Sequence, residues 1–451
     1  MKFILALACA LLPFVTIATA TTAAKAPPAQ LLNGSAVFSI EGKAAPLQLT
    51  DNVVTTIYQP AGNGEELVIT VQEPVAAVYI RFAQPPQPYT ATSGSSTVSC
   101  GSYGFLHELI TLQEPSTEVV LRLPQTGICD VLLYSVGELP KDIEQWQPPY
   151  EQCDMLIFPT HADDDVLYMG AAVADAVARG KRVQVAYLTH HWADPLRPHE
   201  LLAGLWEMGV TSYPIIGQQP DRYTTGLEHA RTIFNESKLL AYQVEQLRRF
   251  RPFVVLGHDI GGEYGHGMHM LGAQTLLTAT EQSADPLSHP ESAVKYGVWQ
   301  VPKTYLHLGE QNQLVLNVDT PLELFGGRTA FEVAKDAFEH HKSQHGWDLA
   351  VTTYGHADCR RFSLVHSTVG ADSGHNDLFE NIVVPPAKSE SEAEDTTEQE
   401  AFSGSDEVSS APSQPTKDTV TQLPLLSIRA LSAAAFIGII LLIVKLWKCK
   451  Y

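Results

Sequence analysis

Residues 154 to 189 read "DMLIFPTHADDDVLYMGAAVADAVARGKRVQVAYLT". The apolar run "DMLIF" has the length and composition of a buried strand, "DVLYMGAAVADAVARG" is a helix closed by glycine, and "RVQVAYLT" is the next strand. Together they make one βαβ unit. Between strand and helix stand a histidine and three consecutive aspartates, His161 to Asp165 around Ala162. Neighbouring carboxylates repel, so local stability does not select them; they cap the helix or hold a cation.

The same alternation continues outward. Helix "RPHELLAGLWEMGV", strand "YPIIG", helix "LEHARTIFNESKLLAYQVEQLRRF", strand "PFVVLGHD" and helix "HMLGAQTLLTATEQ" follow, then strands "TYLHL" and "QLVLNV" and helix "TAFEVAKDAFEHHKSQ". This predicts a Rossmann-like parallel α/β sheet over residues 150–385. The preceding stretch, residues 25–147, holds short β-rich runs ("AVFSI", "ELVITV", "AAVYIRF", "EVVLRL", "DVLLYSV") parted by Pro, Gly and Asn turns. Such spacing predicts an all-β sandwich, jelly-roll-like, of a kind that in exported proteins often binds glycans. "ELPKDIEQWQPP" reads as the linker.

Both ends carry targeting patterns. Residues 1–20 have a lysine, an apolar core and an "ATA" end, the layout of a signal peptide. Residues 386–424 are low-complexity and acidic, with eight acids against one lysine between Lys388 and Glu407, and read as a disordered stalk. Residues 425–447 contain an uncharged run from Ala430 to Val444 and read as a membrane helix, with 448–451 as a lysine-bearing cytoplasmic tail. The expectation is a single-pass protein of the cell membrane whose large N-terminal part is extracytoplasmic. A net charge of -21, with 29 basic against 50 acidic residues, excludes nucleic acid as a partner. Four cysteines remain between the two ends, and Cys100 with Cys129 is the first disulfide pairing to expect.

In an open parallel sheet the ligand crevice lies beyond the carboxyl ends of the strands. "THADDD", "THHW" and "GHDIGGEYGHGMH" all follow strands there. Two neutral imidazoles and a carboxylate form a catalytic zinc set with a fourth position free for water. His161 and Asp164 stand three apart across the turn, and His269 from the second loop completes the set. One Asp suffices for a helix cap; three beside a histidine, facing a loop with three more, exceed that need.

"HADDD" followed by "GEYGHGMH" resembles the LmbE-like, N-acetylglucosaminyl-phosphatidylinositol de-N-acetylase family (PIG-L), over about Cys153 to Asn381. The resemblance implies a metal-dependent deacetylase acting on N-acetylglucosamine-type sugars. It implies His161, Asp164 and His269 as ligands to Zn2+ (Fe2+ or Mn2+ being other ions such a set takes) and Asp163 as general base. It further implies that Tyr264 and His266 face the acyl oxygen or the leaving amine, and that Arg197 contacts substrate. Ala162 and Asp165 depart from the commoner Pro and Glu, and "GHGMH" lacks the usual Asp before its last His. The partner expected is an N-acetylated glycan or glycoconjugate. No G-x-S-x-G, H-E-x-x-H or dinucleotide glycine fingerprint is present. The alternative from another class is a catalytically inactive surface glycan-binding protein.

Overall fold

A computed structural model describes residues 26–383. The segments expected to be signal peptide, stalk, membrane helix and tail lie outside the described residues. Among the described residues no helix is long and apolar enough to cross a membrane.

The N-terminal strands are β1 (Val37–Ile40), β2 (Lys43–Ala44), β3 (Glu65–Phe82), β4 (Tyr89–Ser93), β5 (Ser96–Cys100), β6 (His107–Leu123) and β7 (Ile128–Tyr134). All pair antiparallel within one sheet, in the order β2-β1-β3-β6-β4-β5, with β7 joined to β3. "ELVITV" and "AAVYIRF", expected as separate strands, are the two halves of β3, which continues through "QEP" at 72–74. Its partner β6 carries the same tripeptide at 113–115. The register slips between the pairs Thr70 with Glu118, Val75 with Ser116, and Ala77 with Thr111. Proline has no N–H to give the ladder, so it is accommodated at such a bulge, where a strand bends instead of ending. The proline expected to mark a turn between two strands instead lies at a bulge within one.

Cys100 and Cys129 are both buried free thiols, as are Cys153 and Cys359. The expected disulfide is absent because Cys100 ends β5 at one side of the sheet, with β4, β6 and β3 between it and Cys129 on β7. Tyr79, Tyr89 and Phe105 are core residues, and Tyr103 stacks on Phe105 at the surface.

The second sheet contains β8 (Met155–Ile157), β9 (Val183–Val185), β10 (Val254–Gly257), β11 (Lys303–His307), β12 (Gln313–Val315) and β13 (Arg361–Ser367), in the order β12-β13-β11-β10-β8-β9. The pairings among β9, β8, β10 and β11 are parallel. The other edge is not: β13 runs antiparallel to β11 and to β12, so the wholly parallel sheet is corrected to a mixed one. β13 enters beside the last residue of β11, His307 facing Phe362, and a strand that enters at its neighbour's carboxyl end must run backwards. "YPIIG" contributes only an isolated parallel bridge, Ala186 with Ile215, and a second, Thr189 with Gln219, follows just beyond it.

Helices cover both faces. They are α1 (Asp164–Leu167), α2 (Gly170–Ala178), α3 (Arg197–Glu207), α4 (Gly226–Ile233), α5 (Glu236–Phe250), α6 (Gly267–Gln282), α7 (Pro290–Tyr296) and α8 (Ala330–Phe338). Side chains alternate across a strand, so Met155 and Ile157 pack with α2, α3 and α8 while Leu156 packs with α5 and α6. The helix expected over 165–180 is broken at Tyr168 and Met169, and that over 227–250 at Asn235, whose side chain accepts the Lys238 amide at 2.9 Å and caps α5. The segment read as a linker is packed into the protein: Ile143, Glu144 and Trp146 are buried, and Trp206 Nε1 donates to the Lys141 carbonyl at 2.7 Å.

Candidate active site

β8 and β10 are adjacent, and the chain leaving each turns at the same edge of the sheet. From β8 come His161 to Asp164; from β10 comes the loop 258–266, which feeds α6. Two backbone features hold that loop. Gly262 and Tyr264 take positive φ, 66° and 51°, a conformation that costs a non-glycine residue energy. Gly267 lies so close to α4 that a β-carbon there would fall 2.1 Å from the Gly226 carbonyl oxygen. The approach sets the start of α6, and with it His266 and His269.

Three side-chain atoms converge. His161 Nδ1 lies 3.0 Å from Asp164 Oδ2, His269 Nε2 lies 3.2 Å from the same oxygen, and the two imidazole nitrogens are 3.2 Å apart. Lone pairs this close repel unless a proton or a cation lies between them. All three residues are buried. Burial by itself would raise Asp164, but its contacts with His269, His161 and His258 outweigh it and hold the carboxyl well below its usual range. The donor set of two imidazoles and one carboxylate fits a divalent ion of the zinc type.

His258 and His266 stand close enough to join, and hydrogen bonding decides against both. His258 Nε2 accepts the Thr160 amide at 3.0 Å, so its lone pair is engaged, while Nδ1 faces Glu263 Oε2 at 3.0 Å. His266 Nδ1 accepts the Met268 amide at 3.2 Å, capping α6. Burial, with His269 and His161 adding to it, pushes His266 down to about 2, so the ring is neutral and its single proton sits on Nε2. His266 is thus a donor and not a ligand.

Glu263 supports this arrangement from behind. Its Oε2 accepts from His269 Nδ1 at 2.6 Å and from His258, and its Oε1 accepts from His307 Nδ1 at 2.8 Å and the Asp259 amide at 3.1 Å. With Nδ1–H committed to Glu263, His269 presents the Nε2 lone pair to the convergence point. Neither Glu263 nor its partners His258 and His307 was singled out from sequence; a glutamate in "GGEYGHG" has no spacing that marks it.

The three aspartates divide their tasks. Asp163 occupies the N-cap position of α1 yet its side chain makes no capping bond, which removes the helix-cap explanation for it. Its Oδ1 instead meets Arg197 Nη2 at 2.8 Å, and burial raises its pKa against the pull of that guanidinium. Asp164 Oδ2 accepts the His161 amide at 2.7 Å, fixing the turn. Asp165 is fully buried beside Tyr187, and burial lifts it well above the usual carboxyl range. Arg197, expected to contact substrate, is therefore tied to Asp163 and, through Nε at 3.4 Å, to Asp221.

His161, Asp163, Asp164, Arg197, Tyr264 and His266 all line one cleft of about 640 Å³, with His269 beneath them, so the structure brings together every site residue expected from sequence. Burial raises the Tyr264 hydroxyl, which stays protonated as a donor. Asp221, Tyr223, Trp347 and Leu349 complete the lining of the cleft. Asp221 was missed although it follows "YPIIG" at the same sheet edge, where the rule that located the other loops applies equally. "THHW" contributes indirectly, His191 Nδ1 lying 3.8 Å from Asp221 Oδ2.

No protein-family model matches the chain. Over 179 residues it is 28% identical to the 1D-myo-inositol 2-acetamido-2-deoxy-alpha-D-glucopyranoside deacetylase of Geodermatophilus obscurus, a match covering 34% of this chain and 60% of that enzyme. The enzyme of the same name from Mycolicibacterium vanbaalenii is 30% identical over 189 residues, 34% of this chain and 59% of its own length. The chain thus spans less than two thirds of these relatives. Among solved structures, the N,N'-diacetylchitobiose deacetylase of Pyrococcus horikoshii aligns with 44% of this chain and 74% of its own, at 17% identity and a TM-score of 0.34. The sequence similarity to the two inositol-sugar deacetylases and the convergence of both motifs on one cleft support the resemblance to the LmbE-like, N-acetylglucosaminyl-phosphatidylinositol de-N-acetylase family.

Proposed function

We propose that the protein is a metal-dependent hydrolase that removes acetyl groups from N-acetylglucosamine-type sugars, with residues 150–385 as the catalytic domain and 25–147 as a sandwich-like β domain. It would act at the cell surface, tethered through its C-terminal apolar segment. The observation that carries the chemistry is the meeting of His161 Nδ1, Asp164 Oδ2 and His269 Nε2 at 3.0–3.2 Å, from segments far apart in the chain.

These three residues would hold Zn2+. When bound, the ion supplies Lewis acidity and a water acidic enough to ionise near neutral pH. The chain's own groups do the rest. Asp163 is adjacent to the ligands but committed to Arg197, which orients its carboxylate, and it takes the proton of the attacking water. The Nε2–H of His266 and the hydroxyl of Tyr264 point donors into the cleft where charge develops on the acyl oxygen. Tyr223 and Trp347 offer ring faces to a sugar.

The test combines metal analysis with acetate release from a panel of N-acetylated glycans, comparing wild type with Asp163→Asn. Retained metal with turnover reduced about 10²–10⁴-fold is expected. Equal turnover in the variant removes Asp163 as the base, and glycan binding by a wild type that releases no acetate returns the inactive-lectin alternative.

A further inference from the structure

The N-terminal sheet and the α/β sheet meet around a buried polar chain that the catalytic reading leaves unexplained. His107, the first residue of β6, presents Nδ1 to Glu144 Oε2 at 2.6 Å and Nε2 to His199 Nδ1 at 2.7 Å. Trp146 Nε1 donates to the same Glu144 oxygen at 2.6 Å. The rings of His107 and His199 stack with centroids 5.0 Å apart and planes 16° from parallel. All four side chains are buried. Burying a carboxylate and two imidazoles is costly unless each finds a partner, and here each does.

The protons fall into one direction. Burial, with His107 and Arg81 adding to it, pushes His199 down to about 2, so it carries a single proton. Burial, the largest influence, raises the Cys129 thiol to about 11, so it keeps its hydrogen, with Sγ 4.0 Å from His199 Nε2. His199 Nδ1–H then donates to His107 Nε2, and His107 Nδ1–H to Glu144.

His199 sits two residues after Arg197 in the first turn of α3. Arg197 is the residue that holds Asp163. Glu200, next in the same turn, accepts from the Ser343 amide at 2.8 Å and from its hydroxyl at 2.5 Å. The turn is therefore clamped from the β sheet on one side and from the segment beside Gln344 on the other. Among the described residues, no side chain of the α/β domain is hydrogen-bonded to the His199 ring, whose partners are His107 and Cys129. We propose that His107 and Glu144 of the N-terminal segment, acting through His199, are positioning residues that set Arg197 against Asp163. The N-terminal β region thereby belongs to the catalytic apparatus, whatever else it binds. The proposal rests on the reading of Asp163 as base.

The test uses the full chain with His199→Gln, His199→Asn and Glu144→Gln, each alone and combined with Arg197→Gln. Asparagine places a donor where His Nδ1 stands; glutamine places it at the Nε2 position. His199→Gln and Glu144→Gln are expected to lower kcat about tenfold with KM and metal content near wild type, at a temperature well below each variant's Tm. His199→Asn is expected to restore kcat to within about threefold. In the Arg197→Gln background the His199→Gln change is expected to cost no more than twofold. Equal kcat losses for the Asn and Gln variants, additive losses with Arg197→Gln, or an unchanged kcat in both Glu144→Gln and His199→Gln would overturn the proposal. An inactive but metal-loaded wild type would instead refute the hydrolase reading, so the two failures are distinct.

Discussion

At the residue scale, one carboxylate organises three imidazoles. Glu263 fixes the tautomer of His269 and so directs a lone pair at the convergence point. Glu263→Gln replaces an acceptor oxygen by an amide that cannot accept from a second imidazole N–H. Metal affinity, measured by competition with a chelator, is expected to fall about 10–100-fold; unchanged affinity would show that His269 needs no such support. Acid should act on the same atoms. Burial pulls His269 down, but the Asp164 charge outweighs it and raises its pKa. A proton on Nε2 competes with the ion, so metal is expected to leave as the pH falls, beginning above the ordinary histidine range of about 6.5. Metal content followed by titration from pH 8 to pH 5 checks this. His161, Asp164 and His269 were legible in sequence because their types and strand-end placement announce metal chemistry. Glu263 and Asp221 were not, because a supporting carboxylate has no spacing rule of its own.

At the element scale, the site depends on where α6 begins. Gly267 admits the Gly226 carbonyl at a distance no β-carbon tolerates. Gly267→Ala is expected to cost about 1–3 kcal/mol in thermal or denaturant unfolding and to reduce bound metal, since His266 and His269 move with the helix. Full metal content in that variant would mean that α4 yields instead. Sequence periodicity located α6, α3 and the strands on either side of "THADDD". It missed the join within β3, because proline and two polar residues signal a turn whether the strand ends or merely bulges. It also missed the direction of β13, since strand composition carries no arrow; direction follows from which edge of the sheet the chain has reached.

At the scale of the whole molecule, stability and chemistry are separable. Arg248 is fully buried on α5 and its guanidinium donates to the carbonyls of Gln282, Ser283, Asp285, Ser288 and His289 and to the Ser292 hydroxyl. It thereby fixes the turn between α6 and α7, which lines no part of the cleft. Arg248→Met removes all of these charge-assisted hydrogen bonds at once and is expected to destabilise by about 3–5 kcal/mol in denaturant unfolding, with kcat unchanged well below the melting temperature. A matching loss of kcat would tie that turn to the site.

With Asp163, Arg197, Tyr264 and His266 supplied by the family resemblance, the sequence by itself determined the alternating α/β architecture, the strand-rich N-terminal region and the candidate ligand set His161, Asp164 and His269. Each of these is written in local pattern, as periodicity, turn chemistry, or reactive side chains following a strand. Only the tertiary structure decided which imidazoles keep a free lone pair, that Asp163 faces Arg197 and not the helix end, and that Ile143, Glu144 and Trp146 of the expected linker are buried. Those outcomes depend on which groups compete for the same proton or the same space, and such competition exists only once distant segments are brought together.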